Sequence, residues 1–199
     1  MPRLTLVAFA ALLFPLALIG QTPAAETATP AERLLRMDRS RSYVDIDVSA
    51  TLDSFTGRLE RYDAKVGVDA NDRIRTAQFS FKFTDLKTGK AERDARMIDW
   101  LGGGEPKGAF SLGVLALAPD GQGQANGRLT FHGKTERVEF PVLVKREEDT
   151  YTITGSVTLD YRDWGLKILR FMGIRKVDPE VKVRFQLVGE LPPAPDEES

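Results

Sequence analysis

Hydrophobic and polar residues alternate with a period of two along most of the chain. Residues 44–48 read Val-Asp-Ile-Asp-Val and residues 79–83 read Phe-Ser-Phe-Lys-Phe. Successive side chains of a strand point to opposite faces, so this alternation predicts strands with one buried face. Further strands are predicted near 57–69, 108–118, 129–131, 138–142, 153–159 and 181–187, which makes eight in total.

The connections between these segments are short and rich in polar residues or glycine. They include 70–72, 119–121, 132–134 and 147–149. Such connections favour hairpins, so neighbouring strands are expected to be antiparallel. Eight antiparallel strands with one apolar face fit either a closed barrel or a two-sheet sandwich, and the strand spacing does not separate the two.

Two segments break the period of two. Lys90–Leu101 lacks glycine and proline and places Ala91, Ala95 and Ile98 at helical spacing, which predicts one short helix between strands 3 and 4. Residues 161–179 form a long apolar connection before the last strand. It contains three large side chains that could form either a movable lid over the barrel or a fixed plug within it. They are Trp164, Leu169 and Phe171.

The two ends of the chain differ from the middle. Residues 4–20 are uncharged and largely apolar, and Thr22 and Ala24 supply small side chains, so residues 1–24 are predicted to be a signal peptide cleaved near Ala24. Residues 25–42 are interpreted as a linker, 43–190 as the folded domain and 191–199 as a disordered acidic, proline-rich tail. The expected location is periplasmic or secreted, with no stable membrane span after cleavage.

Composition removes several classes of function. The chain has 28 Lys and Arg against 29 Asp and Glu, so it carries no broad basic field and nucleic-acid binding is not expected. It has no Cys and one His, His132, which leaves few options for nucleophilic catalysis or metal binding. We therefore predict no enzymatic activity, no catalytic residues, no metal and no cofactor. An acid/base site in which Glu92 and Asp94 face a cavity remains the enzymatic alternative.

Two segments carry a resemblance to a known family. The chain resembles the YceI-like family of exported lipid-binding proteins in both segments. The first is Thr88–Asp94, which leads into the helix to Leu101, and the second is the hairpin at 127–135, which runs into 138–140. The resemblance implies an eight-stranded lipocalin-like barrel whose interior takes a polyisoprenoid or another long-chain lipid. The chain departs from the family at Arg96 and Met97, where the family has His and Leu.

These observations converge on a non-enzymatic carrier or scavenger of a long apolar chain, such as a polyisoprenoid, an isoprenoid quinone or a fatty acyl lipid. The alternative is an envelope structural or interaction module, monomeric or homodimeric, with a filled barrel and no ligand. The parity of the strands predicts the inward, ligand-contacting positions. They are Ile46, Val48, Phe79, Phe81, Phe83, Phe110, Leu112, Leu129, Phe131, Phe140, Leu159 and Phe185.

Overall fold

The computed structural model describes residues 32–50, 53–171 and 175–193. The predicted signal peptide, the start of the predicted linker and most of the predicted tail lie outside these residues. No helix within the described ranges is long and apolar enough to cross a membrane.

The described chain is almost entirely β-structure, with one α-helix, α1 (Ala91–Trp100), and two short 3₁₀ turns, Phe83–Asp85 and Tyr161–Trp164. The strands are β1 (Arg33–Leu34), β2 (Arg36–Met37), β3 (Tyr43–Ala50), β4 (Asp53–Leu59), β5 (Tyr62–Val68), β6 (Ile74–Lys82), β7 (Leu86–Lys87), β8 (Lys107–Leu117), β9 (Gln122–Phe131), β10 (Lys134–Glu147), β11 (Thr150–Asp160), β12 (Arg170–Phe171) and β13 (Arg175–Glu190).

The strands form one antiparallel sheet that curls into a lipocalin-like barrel. Their order is β1-β5-β6-β8-β9-β10-β11-β13-β3-β4-β7, and β2 and β12 each pair with β13. Hairpins account for the pairs β8 with β9, β9 with β10 and β10 with β11, as the short polar connections predicted. The predicted all-β barrel with one short helix is therefore confirmed.

The described part of the chain has thirteen strands where eight were predicted, because the segment near 57–69 is two strands and because four two-residue strands, β1, β2, β7 and β12, lie outside the predicted segments. The chain turns at Glu60 and Arg61, so that β4 pairs with β3 while β5 pairs with β6. The turn is held by Asp85, whose carbonyl oxygen accepts from Glu60 N at 3.0 Å and whose carboxylate accepts from Arg61 Nε at 2.8 Å. The inward positions change from odd to even numbers across this turn, from Leu59 to Val66, and no glycine or proline marks the break.

The fold extends beyond the predicted limits of 43 and 190 at both ends. In the predicted linker, β1 pairs with β5 and β2 pairs with β13, and Leu35 between them is 6% exposed. Leu191, in the predicted tail, is 4% exposed and donates its backbone N–H to Asp149. Each leucine is an apolar residue within a largely polar segment, and its burial against the barrel holds that segment in place. We call residues 33–37 the strap.

Candidate functional site

The curled sheet encloses an apolar cavity of about 750 Å³. Its wall is made by the inward side chains of the long strands, together with one face of α1. The structure places every one of the predicted inward positions on this wall: Ile46, Val48, Phe79, Phe81, Phe83, Phe110, Leu112, Leu129, Phe131, Phe140, Leu159 and Phe185.

The aromatic side chains line the cavity instead of filling it because they contact one another along the wall. Phe81 lies between Phe79 and Phe83, with ring centroids 5.8 and 5.0 Å away. Phe140 contacts Phe110 at 5.7 Å and Phe185 at 5.8 Å on another part of the wall. Tilted and edge-on ring pairs of this kind are favourable beyond the area they bury. The rings therefore support one another at the periphery and leave the centre open.

Inward glycines give these rings room, and the sequence analysis missed them. A Cβ placed at Gly108 would overlap the ring of Phe81, its partner in the neighbouring strand. A Cβ at Gly155 would come within 2.6 Å of Phe185 Cζ, and one at Gly127 within 2.5 Å of Phe110 Cε2. A glycine opposite a phenylalanine, at an inward position of the alternation, is the sequence signal that could have identified them.

The cavity is closed at one end. There Leu35, Leu191 and Tyr151 pack with Val66 and Ile74, and only the last two of these reach the cavity wall. The strap is fixed by a hydrogen bond from Leu35 N to Val66 O at 2.9 Å, and the residue after it, Asp38, donates its backbone N–H to Val188 O at 2.8 Å. The strap therefore seals the barrel with apolar packing and backbone pairing together.

The opposite end is the mouth of the cavity, and α1 lies across it. Arg93, Arg96, Met97 and Trp100 face the cavity at helical spacing. Trp100 Nε1 donates to Lys167 O at 2.8 Å, and its ring contacts Tyr161 edge-on at 4.9 Å. These contacts fasten the C-terminal end of the helix to the 161–169 segment. Sequence reasoning predicted the helix but not that these four of its side chains line the cavity.

The three candidate lid residues have different positions. Trp164 is 2% exposed, stacks on Phe131 at 4.5 Å and donates from Nε1 to Leu129 O at 3.0 Å. It belongs to the core and does not line the cavity, which favours the fixed plug over the movable lid for this residue. Leu169 is half-buried and does line the cavity. The side chain of Phe171 lies outside the described residues.

The residues of the enzymatic alternative do not converge. Glu92 reaches the cavity wall, but Asp94 Oδ1 turns back to accept hydrogen bonds from Thr88 N at 3.1 Å and Thr88 Oγ1 at 2.5 Å. His132 lies in a turn, with Nδ1 3.2 Å from Trp164 O. Within the described ranges, no group of three or more His, Asp and Glu side chains could hold a metal ion.

Charged side chains pair on the outer face of the barrel. Arg58 makes two hydrogen bonds to the buried carboxylate of Asp45, at 2.7 and 2.8 Å. Arg184 makes two to Asp47, at 2.6 and 2.9 Å, and Thr56 Oγ1 adds a third at 2.7 Å. The bonds to Asp47 favour its ionised form and lower the pKa of Asp47 from 3.8 to about 2. The pairs connect β4, β3 and β13 and are structural.

Comparison with known proteins identifies the family. The YceI-like domain matches residues 35–189, and the chain therefore belongs to the YceI-like family. No curated protein sequence matches the chain significantly.

Solved structures share the fold. BcnA from Burkholderia cenocepacia is 21% identical, with a TM-score of 0.65 over 77% of this chain and 99% of BcnA. The YCEI protein of Campylobacter jejuni is 11% identical, with a TM-score of 0.58 over 71% of this chain and 88% of its own. A mutant of the latter was crystallised with a monobromobimane guest, and its TM-score to this chain is 0.60.

Proposed function

We propose that this protein is an exported, non-enzymatic carrier or scavenger that holds the long apolar chain of a polyisoprenoid, an isoprenoid quinone or a fatty acyl lipid inside its barrel. The observation that carries the proposal is the apolar cavity of about 750 Å³, closed at one end by the strap. Its volume lies in the range of small-molecule sites, and its wall offers carbon along almost its whole length.

The length of the cavity favours a chain over a compact ligand. Along β11, wall residues run from Ile153 near the strap to Leu159 near the mouth. At roughly 3.3 Å per residue, this stretch spans about 20 Å. Removing about 300 Å² of apolar ligand surface from water at roughly 25 cal/mol per Å² would contribute about 7 kcal/mol before ordering costs are subtracted. This is enough for specific but reversible binding.

The cavity also bears on the alternative of a structural module with a filled barrel. Such a module needs no interior space, and leaving interior space empty lowers stability because the wall loses packing contacts. A cavity of about 750 Å³ is therefore more easily explained by an occupant. Export, which the apolar segment at 4–20 supports, would place the protein where envelope lipids are within reach.

Native mass spectrometry of the protein, purified gently from its own envelope, tests the proposal. We expect a bound mass that matches an isoprenoid, a quinone or a fatty acyl lipid. The matched variants are Val157→Trp, which fills the cavity, and Thr158→Trp, which adds the same ring at the next, exposed position of β11. The bound mass should disappear in the first and persist in the second. A ligand-free wild-type protein that also ignores added polyprenyl lipids would instead support the interaction module.

A further inference from the structure

The charged residues of the cavity wall are confined to its mouth. Four of them are basic, Lys90, Arg93, Arg96 and Arg170, and one is acidic, Glu92. Lys90 is the residue before α1, and Arg170 lies on β12. The other three, Glu92, Arg93 and Arg96, belong to the first two turns of α1. The mouth therefore carries a formal charge of three positive units next to an apolar interior.

Three side chains of this basic rim, Lys90, Arg93 and Arg170, form no salt bridge with another described residue. Lys90 and Arg170 are exposed, so their charges are available to a group at the mouth. On the outer face, in contrast, Arg58 and Arg184 are fully engaged by Asp45 and Asp47.

Arg93 is held in position by an aromatic neighbour. Its guanidinium carbon lies 3.7 Å from the ring centroid of Phe55, which is itself part of the cavity wall. A guanidinium stacked on a ring keeps its N–H groups directed outward in the plane, where they can bind carboxylate or phosphate oxygens. The positive end of the α1 dipole lies at the same place and favours negative charge there.

We propose that the basic rim selects ligands with an anionic head group, a carboxylate or a phosphate, whose apolar chain extends toward the strap. This inference rests on the proposed function and adds the chemistry of the head group to it. Arg93 and Arg170 would contact the head group from two sides of the mouth. A neutral ligand with the same chain would lose these charge-assisted hydrogen bonds and bind more weakly.

Matched ligand pairs test the inference on delipidated protein. The probes are geranylgeranyl phosphate with geranylgeraniol, and palmitate with hexadecanol, titrated by isothermal calorimetry. We expect each anionic ligand to bind at least roughly tenfold more tightly than its neutral partner, which corresponds to about 1.4 kcal/mol. The advantage should shrink as salt rises from about 50 to about 500 mM, because exposed charges are screened. The phosphate and carboxylate pairs also show which head group the rim prefers.

Variants assign the effect to the rim. In the double variant Arg93→Gln with Arg170→Gln the advantage of the anionic ligand should fall to about threefold or less, while the affinity for geranylgeraniol stays unchanged. Arg93→Lys, which keeps the charge but loses the planar guanidinium stacked on Phe55, should retain only part of the advantage. The control pair Arg137→Gln with Lys145→Gln removes two charges of β10 that do not line the cavity and should retain all of it.

Each outcome separates the two proposals. If the anionic and neutral ligands bind equally well, the head-group inference fails and the carrier function stands. If none of the four probes binds the wild-type protein, the carrier function itself fails. Retained discrimination in the folded Arg93→Gln, Arg170→Gln variant would also overturn the role of the rim, and circular dichroism establishes that this variant is folded.

Discussion

At the scale of single residues, β3 separates two environments. Its even positions, such as Val44 and Ile46, face the cavity, and its odd positions Asp45 and Asp47 pair with arginines on the outer face. The outer pairs make the pH dependence of stability predictable, because the pKa of Asp47 is lowered by Arg184 and Thr56. At the inner positions, the effect of a larger side chain on stability and ligand binding can be predicted.

Asp47 should stabilise the fold at neutral pH and lose this contribution in acid. Its pKa is about 2 in the folded state, below its ordinary 3.8, so the contribution is complete above about pH 4 and is lost as the pH falls toward 2. Because the side chain is 33% exposed, we expect Asp47→Asn to lower the free energy of unfolding by about 1 kcal/mol at pH 7. Urea unfolding of both proteins from pH 7 to 2 measures this difference.

The control is Asp63→Asn, which removes an exposed carboxylate that has no ion pair in the described residues. It should change stability little at any of these pH values. A constant difference between wild type and Asp47→Asn down to pH 2 would contradict the assignment.

Gly108 should be essential for the position of the Phe81 ring. Gly108→Ala introduces a methyl group that overlaps this ring, so the ring must move. We expect a loss of about 1–3 kcal/mol in stability, typical of overpacking, and weaker binding of the ligand. In a Phe81→Leu background the same substitution should cost less, and a double-mutant cycle measures the coupling. Additive effects would show that the two residues do not share this space.

The residue-level predictions succeeded where parity alone decides the outcome. Phe79, Phe81 and Phe83 could be placed on the inner face because the face of a strand residue follows from its position. Parity could not show whether the rings fill the barrel or line it, since that depends on glycines such as Gly108 in a neighbouring strand. Arg93 was missed for a related reason, because its partner Phe55 is distant in sequence.

At the scale of elements, the connections decide how the site is built. The 161–171 segment begins as a 3₁₀ turn that buries Tyr161 and Trp164 and then passes along the mouth at Leu169. Its length and apolar content predicted a functional role, but they could not divide it into a fixed part and a part at the cavity. That division depends on the hydrogen bond from Trp164 Nε1 to Leu129 O, which the sequence does not reveal.

Substitutions within this segment should separate stability from ligand exchange. Trp164→Ala removes a buried, stacked ring and should lower the free energy of unfolding by about 3–5 kcal/mol. Leu169→Ser removes a half-buried side chain at the mouth and should mainly increase the rate of ligand release. Chemical denaturation and stopped-flow release kinetics measure the two effects. Unchanged release from the Leu169→Ser protein, together with a large loss of stability, would mean that Leu169 is also a core residue.

Short elements were the least predictable part of the fold. β1 and β2 are two residues each, too short to show alternation, and they form because Leu35 is buried between them. β4 and β5 are ordinary strands, but the turn at Glu60 and Arg61 has no glycine or proline to mark it. Both cases depend on tertiary contacts, with Val66 for the strap and with Asp85 for the turn.

At the scale of the whole molecule, ligand binding should stabilise the fold because the cavity exists only in the folded state. A ligand at 100 times its dissociation constant would add about 2.7 kcal/mol. For a domain of this size we expect Tm to rise by about 5–10 °C. Differential scanning calorimetry of delipidated protein with and without geranylgeranyl phosphate measures the change. Val157→Trp should show no shift, and an equal shift in that variant would place the ligand outside the barrel.

Because the strap closes one end of the barrel, the cavity has one opening instead of two. Leu35 and Leu191 close the far end, so a molecule taken up at the mouth must leave by the same route, in reverse. Ligand uptake and ligand release would then be the forward and reverse directions of one step, so the barrel itself would impose no direction on ligand transfer. For the proposed carrier, the acceptor of the ligand would have to meet the same face of the protein that took the ligand up, and the net direction of transfer would follow the relative affinities of donor and acceptor.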